Sequence, residues 1–367
     1  MIIQGDALTV LSGMAADSVD CCVTSPPYWG LRDYGIDGIV WGGNRGCEHE
    51  WAETKHTDTR GTQGTGLAGR DPYNGGENRL NYEHAFCSVC GAWRGQLGLE
   101  PTFELYIEHL VSIFDQVKRV LKKTGTCWVN LGDSYAAGGG EAVKKSLKRQ
   151  SAIDTGSYPD YPPSAKLRSK MGKSLILIPH RFSIAMLERS WICRNVLIWH
   201  KPNCMPSSAK DRFTVDFEYV FFFTKSKSYY FEQLFEDHSR DWGEEGWAKH
   251  GCKEPEKSKK LKMATRGVVE RGAVQNPEGR NRRCVWKVPT QPYSEAHFAV
   301  YPRALIEPMI RAGCPRGGTV LDPFAGSCTT GEEAISQGKE FIGIEINPEY
   351  IELAERRTAE TQVELPL

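Results

Sequence analysis

The chain has 367 residues, enough to bury a large core as one domain with insertions or as two domains. Lysine plus arginine and aspartate plus glutamate both total 46, so no overall charge attracts nucleic acid, and any such contact requires a local basic patch. No apolar run approaches the roughly 18 residues of a membrane span, and the start of the chain lacks the charged and apolar regions of a signal peptide, which favours a cytoplasmic protein with no membrane partner.

The chain begins with a predicted strand over residues 2–6 and a predicted helix over residues 7–14. Asp6 lies between them. A carboxylate in this place either hydrogen-bonds an amino group of a ligand or caps the helix, and these residues alone favour neither interpretation.

A second strand is predicted for the apolar residues 19–23, and it ends at the sequence Thr24-Ser25-Pro26-Pro27-Tyr28. Two prolines stop a strand because neither donates a ladder hydrogen bond. They leave a hydroxyl, a rigid Pro-Pro pair and an aromatic ring at the carboxyl end of the strand, where open α/β sheets bind ligands. A strand that merely ends in a loop would also explain this motif taken by itself.

Residues 47–95 form a polar insert that carries a candidate metal site. The sequence Cys87-Ser88-Val89-Cys90-Gly91 is a C-x-x-C turn, and Cys47 and His49 would complete a tetrahedral zinc site with three thiolates and one imidazole. His56 and His84 are competitors for the nitrogen position, and a redox pair or unpaired surface thiols are the alternatives to a metal. Since residues 55–81 have almost no aliphatic side chains, we expect a structural zinc ion that holds the insert together.

Strands and helices alternate at intervals of about 20 residues between residues 96 and 235, which predicts a doubly wound sheet. The predicted helices cover residues 103–121 and 175–190, and the predicted strands cover residues 126–131, 191–199 and 217–224. Residues 136–173 are rich in glycine, lysine and arginine. They are predicted to be a mobile basic loop, which is plausible next to a phosphate backbone or as a solvated linker.

The region 236–290 is polar and basic. Between Lys253 and Lys287 the chain has eleven lysine and arginine residues against four glutamates, the highest local positive charge in a neutral protein. Such a run is often a solvated loop, but its lysines and guanidinium groups suit DNA phosphates and guanine edges. The candidate DNA-binding residues are Lys260, Arg280, Arg282 and Arg283.

The last region, residues 291–367, contains a glycine-containing turn between a strand and a helix. The turn is Asp322-Pro323-Phe324-Ala325-Gly326-Ser327, and the next strand ends at Glu345, 23 residues after Asp322. A carboxylate at that strand end suits the hydroxyls of a ribose. The turn is not G-x-G-x-x-G and no lysine follows it in the manner of a P-loop, so a dinucleotide and a triphosphate are both disfavoured.

The motif at residues 24–28 and the turn at residues 322–327 together resemble the catalytic motif and the cofactor loop of the amino-group DNA methyltransferases, which modify N4 of cytosine or N6 of adenine. The catalytic motif comes first in the chain, which resembles the β class of that family. The sequence differs from the family at Cys328, where the loop more often carries glycine.

The resemblance implies S-adenosylmethionine as cofactor and a methyltransferase fold, a Rossmann-like, doubly wound, mostly parallel sheet of seven strands with a small zinc-ribbon-like insert and a basic target-recognition insert. In the family, the segment around Asp6 contacts the adenine of the cofactor, Glu345 would hold the ribose hydroxyls, and the segment around His297 borders the methionine end. The cofactor-binding residues expected from this resemblance are Asp6, Thr24, His297, Asp322, Phe324, Ala325, Gly326, Ser327 and Glu345.

The chemistry of an exocyclic amine explains the catalytic residues. Its lone pair is delocalised into the ring, so acceptors on its hydrogens are needed, and we expect the Ser25 hydroxyl and the Pro26 carbonyl to supply them. Pro27 makes the platform rigid, and Tyr28 would stack on a base flipped out of the duplex. Cytosine-C5 methylation needs a cysteine nucleophile, typically after proline, and the chain has no Pro-Cys dipeptide.

Serine at position 25, where adenine enzymes more often carry aspartate, favours N4 of cytosine as the target, with N6 of adenine as the alternative. An RNA or protein-amide methyltransferase and an inactive zinc-ribbon DNA-binding protein are the less favoured hypotheses. The resemblance also implies double-stranded DNA as partner, a homodimer and a cognate restriction nuclease as further partners, and a bacterial or phage-encoded protein. The predicted regions are 1–46 for the catalytic half, 47–95 for the zinc insert, 96–235 for the core, 236–290 for target recognition and 291–367 for the cofactor half.

Overall fold

The computed structural model describes residues 1–30, 36–44, 46–58, 80–136, 172–237, 279–291 and 300–361. The chain divides into a larger unit, Met1–Phe231 with Val285–Leu367, and a smaller unit, Glu232–Cys284. The helices described are α1 (Ala7–Gly13), α2 (Phe103–Val120), α3 (Ile178–Glu188), α4 (Arg303–Gly313), α5 (Thr329–Ser336) and α6 (Pro348–Glu360). The strands described are β1 (Ile2–Gln4), β2 (Val19–Thr24), β3 (Ile39–Trp41), β4 (Trp51–Asp58), β5 (Leu80–Cys87), β6 (Trp93–Gly95), β7 (Leu121–Leu131), β8 (Ile192–His200), β9 (Phe217–Thr224), β10 (Phe235–Glu236), β11 (Arg280–Asn281), β12 (Val285–Lys287), β13 (Thr319–Asp322) and β14 (Glu340–Glu345).

One mixed sheet with the strand order β1-β14-β13-β2-β7-β9-β8-β12 forms the larger unit. Neighbouring strands are parallel except at β7–β9 and β9–β8, so the predicted mostly parallel α/β sheet is confirmed. The described sheet has eight strands rather than the predicted seven. The additional strand, β12, has only three residues at the sheet edge, too few to leave a periodic pattern in the sequence.

Helices cover both faces of this sheet. Cys22, Cys127 and Val129 lie in the same apolar cluster as α2, whereas Cys21 and Thr126, on the opposite face of their strands, lie against Gly313 at the end of α4. Successive side chains of a strand alternate between faces, so α2 and α4 lie on opposite sides of the sheet. The prediction of a doubly wound arrangement is therefore correct.

The two central elements show how the sequence specifies the layers. Helix α2 begins at the N-cap Thr102, whose hydroxyl accepts a hydrogen bond from the Leu105 amide at 3.1 Å, and its apolar residues recur at helical spacing. In β9, Phe222 stacks on Trp128 with ring centroids 4.0 Å apart, while Phe221 and Phe223 contact Phe182 of α3 edge to face. The aromatic run is thus divided between two buried faces.

The cysteine-containing insert is a four-stranded antiparallel sheet with the order β3-β6-β5-β4. It begins at Ile39, earlier than the predicted residue 47, and it belongs to the larger unit. Trp41 and Trp93 stack on His109 of α2 at centroid distances of 4.5 and 5.3 Å, so the insert shares the core of the main sheet. Among the described residues, no helix is long and apolar enough to cross a membrane.

Candidate active site

Seven strands of the main sheet end at the same edge, where the antiparallel β9 begins; they are β1, β14, β13, β2, β7, β8 and β12. A cavity of about 760 Å³ opens at this edge. The predicted site residues that line it are Asp6, Ser25, Pro26, Pro27, Tyr28, Phe324, Ala325, Gly326, Ser327 and Glu345. The cavity therefore brings the two motifs together, although they lie at opposite ends of the chain.

The backbone of the catalytic motif, which follows β2, is contacted by Tyr106 and Gly98. The Tyr106 hydroxyl of α2 donates a hydrogen bond to the Pro27 carbonyl at 2.8 Å. Gly98 lies directly behind the motif: a Cβ added there would be 3.1 Å from the Tyr28 carbonyl oxygen, and its φ of +94° also requires glycine. The Pro26 carbonyl receives no hydrogen bond from the described residues, so it is available to a ligand in the cavity.

Tyr28 is held by its hydroxyl. This oxygen donates to Glu218 Oε2 at 2.9 Å, lies 3.1 Å from Asn130 Oδ1 and lies 3.4 Å from the Ser25 hydroxyl. Burial and the negative charge of Glu218 raise the pKa of Tyr28 well above its usual value, so the hydroxyl remains a donor. Gly132 permits this placement, because a Cβ there would lie 2.5 Å from the Tyr28 ring.

Glu218 is in turn paired with Lys201, which leaves the end of β8 and lies over the Trp199 ring, 4.2 Å from its centroid. Both side chains are largely buried, and both line the cavity. Neither was predicted as a site residue. A signal was present in the sequence, since Glu218 is the only charged residue in the aromatic strand Phe217–Thr224.

Thr24 and Asp322 join the two motifs. The Thr24 hydroxyl donates to Asp322 Oδ1 at 2.6 Å across 298 residues of sequence. Asp322 also accepts hydrogen bonds from the Phe324 amide and the hydroxyls of Thr330 and Tyr301. Burial raises the pKa of this carboxyl, and the four donors oppose that rise. Asp322 and Thr24 are buried, and their hydrogen bond joins the ends of β13 and β2 beneath the cavity.

The cofactor loop turns sharply between β13 and α5. Cys328, the N-cap of α5, has φ +65° and ψ +36°, the left-handed conformation that glycine adopts most easily. This explains why glycine is common at this point of the family's loop and shows that the turn survives the change to cysteine. Ser327 is held from α6, because the Arg357 guanidinium donates to its carbonyl oxygen at 2.6 Å and to its hydroxyl at 3.1 Å.

Two carboxylates face the cavity on the side of the cofactor loop. Glu345 accepts the amide hydrogens of Gly326 and Asn347, both at 2.8 Å, and burial raises its pKa against these bonds. Asp6 accepts the Thr9 amide at 2.9 Å through Oδ1, so the N-cap interpretation is correct, and it also lines the cavity. Its Oδ2 has no hydrogen bond to a described residue. Both carboxylates thus retain acceptor capacity for a ligand.

These residues fit the predicted S-adenosylmethionine. Glu345 presents remaining lone pairs to a diol, Asp6 presents an acceptor to an amino group, and Phe324 offers a ring beside the open turn at Gly326, where an added Cβ would meet no atom within 4 Å. His297 lies outside the described residues.

The candidate metal ligands come together. The ligand atoms of Cys47, His49, Cys87 and Cys90 all lie within 4.8 Å of one another, with 3.9 Å between the Cys47 and Cys87 sulfurs and 3.4 Å between Cys90 Sγ and His49 Nδ1. The side chains of His56 and His84 lie outside the described residues. Burial would raise the pKa of Cys87, but the backbone amides of Cys90, Val89 and Glu50 and the His49 side chain lower it to about 6.

Three of the four candidate DNA-binding residues lie in the smaller unit. Arg280 and Arg283 contact Glu236 Oε1 at 2.9 and 2.6 Å, and the Arg282 amide donates to the Leu234 carbonyl at 2.9 Å. Arg280 is thus part of the β10–β11 ribbon. Lys260 lies outside the described residues, as do residues 137–171 of the predicted basic loop.

The profile of the N6/N4 DNA methylase family matches residues 19–356, from the first buried residue of β2 to α6. The chain belongs to this family. The type II methyltransferase M.SmaI of Serratia marcescens is 35% identical over 97% of this chain and 89% of its own length. M.Cfr9I of Citrobacter freundii is 34% identical over 97% and 86%. The fold resembles that of the PvuII DNA methyltransferase (cytosine-N4-specific), with a TM-score of 0.51 and 16% identity over 97% of this chain and 85% of that one.

Family membership confirms the β-class assignment and identifies an S-adenosylmethionine-dependent DNA methyltransferase that acts on an exocyclic amino group. The predicted enzyme class, cofactor and DNA substrate are therefore correct.

Proposed function

We propose that this methyltransferase modifies N4 of cytosine within a specific DNA sequence, at the cavity between the catalytic motif and the cofactor loop. The observation that carries the proposal is that Ser25 and Pro26 line the same cavity as Phe324 and Glu345. S-adenosylmethionine supplies the electrophilic methyl group. The protein's task is then to bring an amine to it in line, so catalysis consists largely of positioning.

In this proposal the Ser25 hydroxyl and the Pro26 carbonyl accept the two hydrogens of the base amine. That arrangement favours a pyramidal nitrogen and stabilises the positive charge that develops on it. The Tyr28 ring, fixed through Glu218 and Asn130, is the platform on which the flipped base stacks. Pro27, whose carbonyl is held by Tyr106, keeps the motif from moving away from the base.

The proposed cofactor contacts follow from the cavity wall. Glu345 holds the ribose hydroxyls, Asp6 accepts from the adenine amine through its open oxygen, and Phe324, Ala325, Gly326 and Ser327 line the pocket around them. Asp322 and Thr24 support this pocket through the hydrogen bond that joins their strands. His297 keeps its proposed place at the methionine end from the family resemblance alone.

The choice of cytosine rests on Ser25, because the adenine enzymes of this family more often carry aspartate at that position. The name of the PvuII structure also specifies cytosine N4, but at 16% identity it supports the shared fold only. N6 of adenine is the alternative, and an RNA or protein-amide substrate or an inactive binding protein are more distant ones.

We further propose that the smaller unit and the neighbouring basic residues, the region predicted as 236–290, recognise DNA. Arg280, Arg282 and Arg283 supply guanidinium groups next to the β10–β11 ribbon. Lys260 and the predicted loop 136–173 would add phosphate contacts.

A structural zinc ion in the insert is the third proposal. Tetrahedral zinc with Zn–S bonds near 2.3 Å separates its sulfur ligands by about 3.8 Å, close to the observed 3.9 Å between the Cys47 and Cys87 sulfurs. Cys90 and His49 complete the four donors. The four donors leave no open position, as expected for a structural site rather than a catalytic one.

Mass spectrometry of nucleosides tests the target base. The protein is incubated with S-adenosylmethionine and DNA from a host without methylation, and the digested DNA is expected to contain N4-methylcytosine. N6-methyladenine alone would reject cytosine while keeping the family chemistry. Ser25→Ala serves as the control, expected to bind the cofactor with little activity. Sequencing the methylated DNA with base-modification detection gives the recognition sequence from the same sample.

A further inference from the structure

The segment between β8 and β9 forms part of the rim of the cavity. Lys201, Asn203 and Met205 line the cavity at its start, and Val215 and Phe217 line it at its end. The middle of the segment, residues 206–214, therefore lies beside the opening through which a base must enter.

This rim segment is anchored at several points. The Lys201 amide donates to the Asp216 carbonyl at 2.7 Å, and this hydrogen bond joins the two ends of the segment. Asn203 exchanges two hydrogen bonds with the backbone of Thr290, at 2.8 and 2.9 Å. The Arg212 guanidinium lies 3.6 Å from the centroid of the Tyr135 ring, which also lines the cavity. These contacts hold the segment to Thr290, Tyr135 and the end of β8.

Phe213 projects from the rim segment and is 96% exposed, the most exposed of the large apolar side chains among the described residues. Nothing in the described part of the chain packs on it. An isolated exposed aromatic ring needs no explanation on most surfaces, but this one stands beside a cavity whose ligand is a base pulled from a stacked duplex.

The charges around Phe213 favour DNA over a protein partner. Lys210 is exposed on one side and Arg212 lies directly before the ring, while Asp211 is neutralised by Lys173 at 2.7 Å. Lys210 and Arg212 therefore outnumber Asp216, the remaining acidic residue of the rim segment, in a protein with equal numbers of acidic and basic residues. Cations beside a bare apolar ring suit a base stack with phosphates on its flanks.

We propose that Phe213 inserts into the DNA base stack beside the target base and occupies the gap that this base leaves on entering the cavity. The inference rests on the proposed flipping of the base. Apolar side chains act as such wedges in other proteins that unstack DNA, and an aromatic ring replaces part of the stacking that the flipped base gives up. The wedge would keep the base from returning to the helix while Ser25 and Tyr28 hold it.

Steady-state methylation of two duplexes tests the wedge. Both carry the recognition sequence found by sequencing, one fully paired and the other abasic opposite the target base, where flipping breaks no base pair. We expect Phe213→Ala to lower kcat/KM on the paired duplex by roughly 5- to 150-fold, the range for removing one base–aromatic stack, and to lower it much less on the abasic duplex. Phe213→Leu, which retains an apolar wedge, should recover most of the activity.

Ile184→Ala is the matched control, because Ile184 is 55% exposed on α3 and does not line the cavity. Equal decreases on both duplexes, or no decrease on either, would overturn the wedge. So would a change in sedimentation of Phe213→Ala without a change in kinetics, which would assign the ring to contact with a second copy of the chain. Absence of any methylated base with the unaltered protein would instead reject the proposed function itself.

Discussion

The hydroxyl of Tyr28 is where the active site depends on residues from four separate segments. It contacts Glu218 of β9, Asn130 of β7 and Ser25 of its own loop, and Glu218 is balanced by Lys201 at the end of β8. The amide of Asn130 donates to the same Glu218 oxygen at 3.2 Å. A charged acceptor shared by several donors fixes the ring plane more firmly than one neutral hydrogen bond would.

Glu218→Gln is therefore expected to lower kcat by roughly 10- to 150-fold, the range for removing a hydrogen bond to a charged group, with little change in S-adenosylmethionine affinity. The amide is a weaker acceptor, and it leaves Lys201 without its counter-charge. Single-turnover methylation and cofactor titration measure the two effects.

Asp17→Asn is a matched control, because Asp17 pairs with Lys225 at 2.6 Å and does not line the cavity. If Glu218 acts by holding Tyr28, the double variant with Tyr28→Phe should be no slower than the slower single variant. Additive decreases in rate would show that Glu218 acts independently of Tyr28.

At the scale of elements, the cysteine insert and the catalytic loop are connected through α2. Trp41 and Trp93 of the insert stack on His109, which contacts Glu100 Oε1 at 3.0 Å. The other Glu100 oxygen accepts the Gly98 amide at 2.8 Å, and the Gly98 carbonyl accepts the amide of Gly30, just after the catalytic motif, at 2.7 Å. A continuous series of contacts thus links the insert to the segment that follows the catalytic motif.

Loss of the proposed zinc ion should therefore reduce both stability and activity. Cys87→Ser is expected to lower the metal content and to reduce the melting temperature by roughly 5 °C. This shift corresponds to a loss of about 2 kcal/mol in the free energy of unfolding, at roughly 2–4 °C per kcal/mol. Elemental analysis and calorimetry measure these changes. Cys193→Ser is the control, since Cys193 is a half-exposed thiol outside the cluster. Purified protein without stoichiometric metal would reject the zinc site.

At the scale of the whole molecule, the most basic stretch of the sequence contains none of the predicted catalytic or cofactor-binding residues. The protein is neutral overall, while the stretch from Lys253 to Lys287 carries eleven cations against four anions. If this stretch binds DNA as proposed, it supplies the strongest electrostatic attraction for the phosphates.

Replacing Lys259 and Lys260 with glutamine should weaken DNA binding. The logarithm of the DNA association constant should also fall less steeply with the logarithm of the salt concentration, by about 0.9 in slope for each DNA phosphate that the variant no longer neutralises. Cofactor affinity should not change. Lys123→Gln with Lys227→Gln removes the same charge from exposed positions on the main unit and should leave the slope unchanged. Equal effects of the two pairs would show that DNA binding is not concentrated in the basic stretch. Fluorescence anisotropy over a salt series makes the comparison.

The sequence by itself determined the family, the cofactor and most of the helices and strands of the main sheet. The Pro-Pro motif, the turn after Asp322 and the alternation of apolar runs are local patterns, and local patterns can be recognised without knowing what they touch. The four candidate metal ligands were also recognisable, because the C-x-x-C turn restricts its own geometry.

Only the tertiary structure decided which residues share a site. It showed that Asp322, a predicted cofactor-binding residue, is hydrogen-bonded to Thr24 in the core. It also made Asp6 a helix cap that lines the cavity and brought Glu218 and Lys201 to Tyr28. It also added β12 to the sheet and extended the insert back to Ile39. These outcomes depend on pairings between strands distant in sequence, which no local pattern encodes.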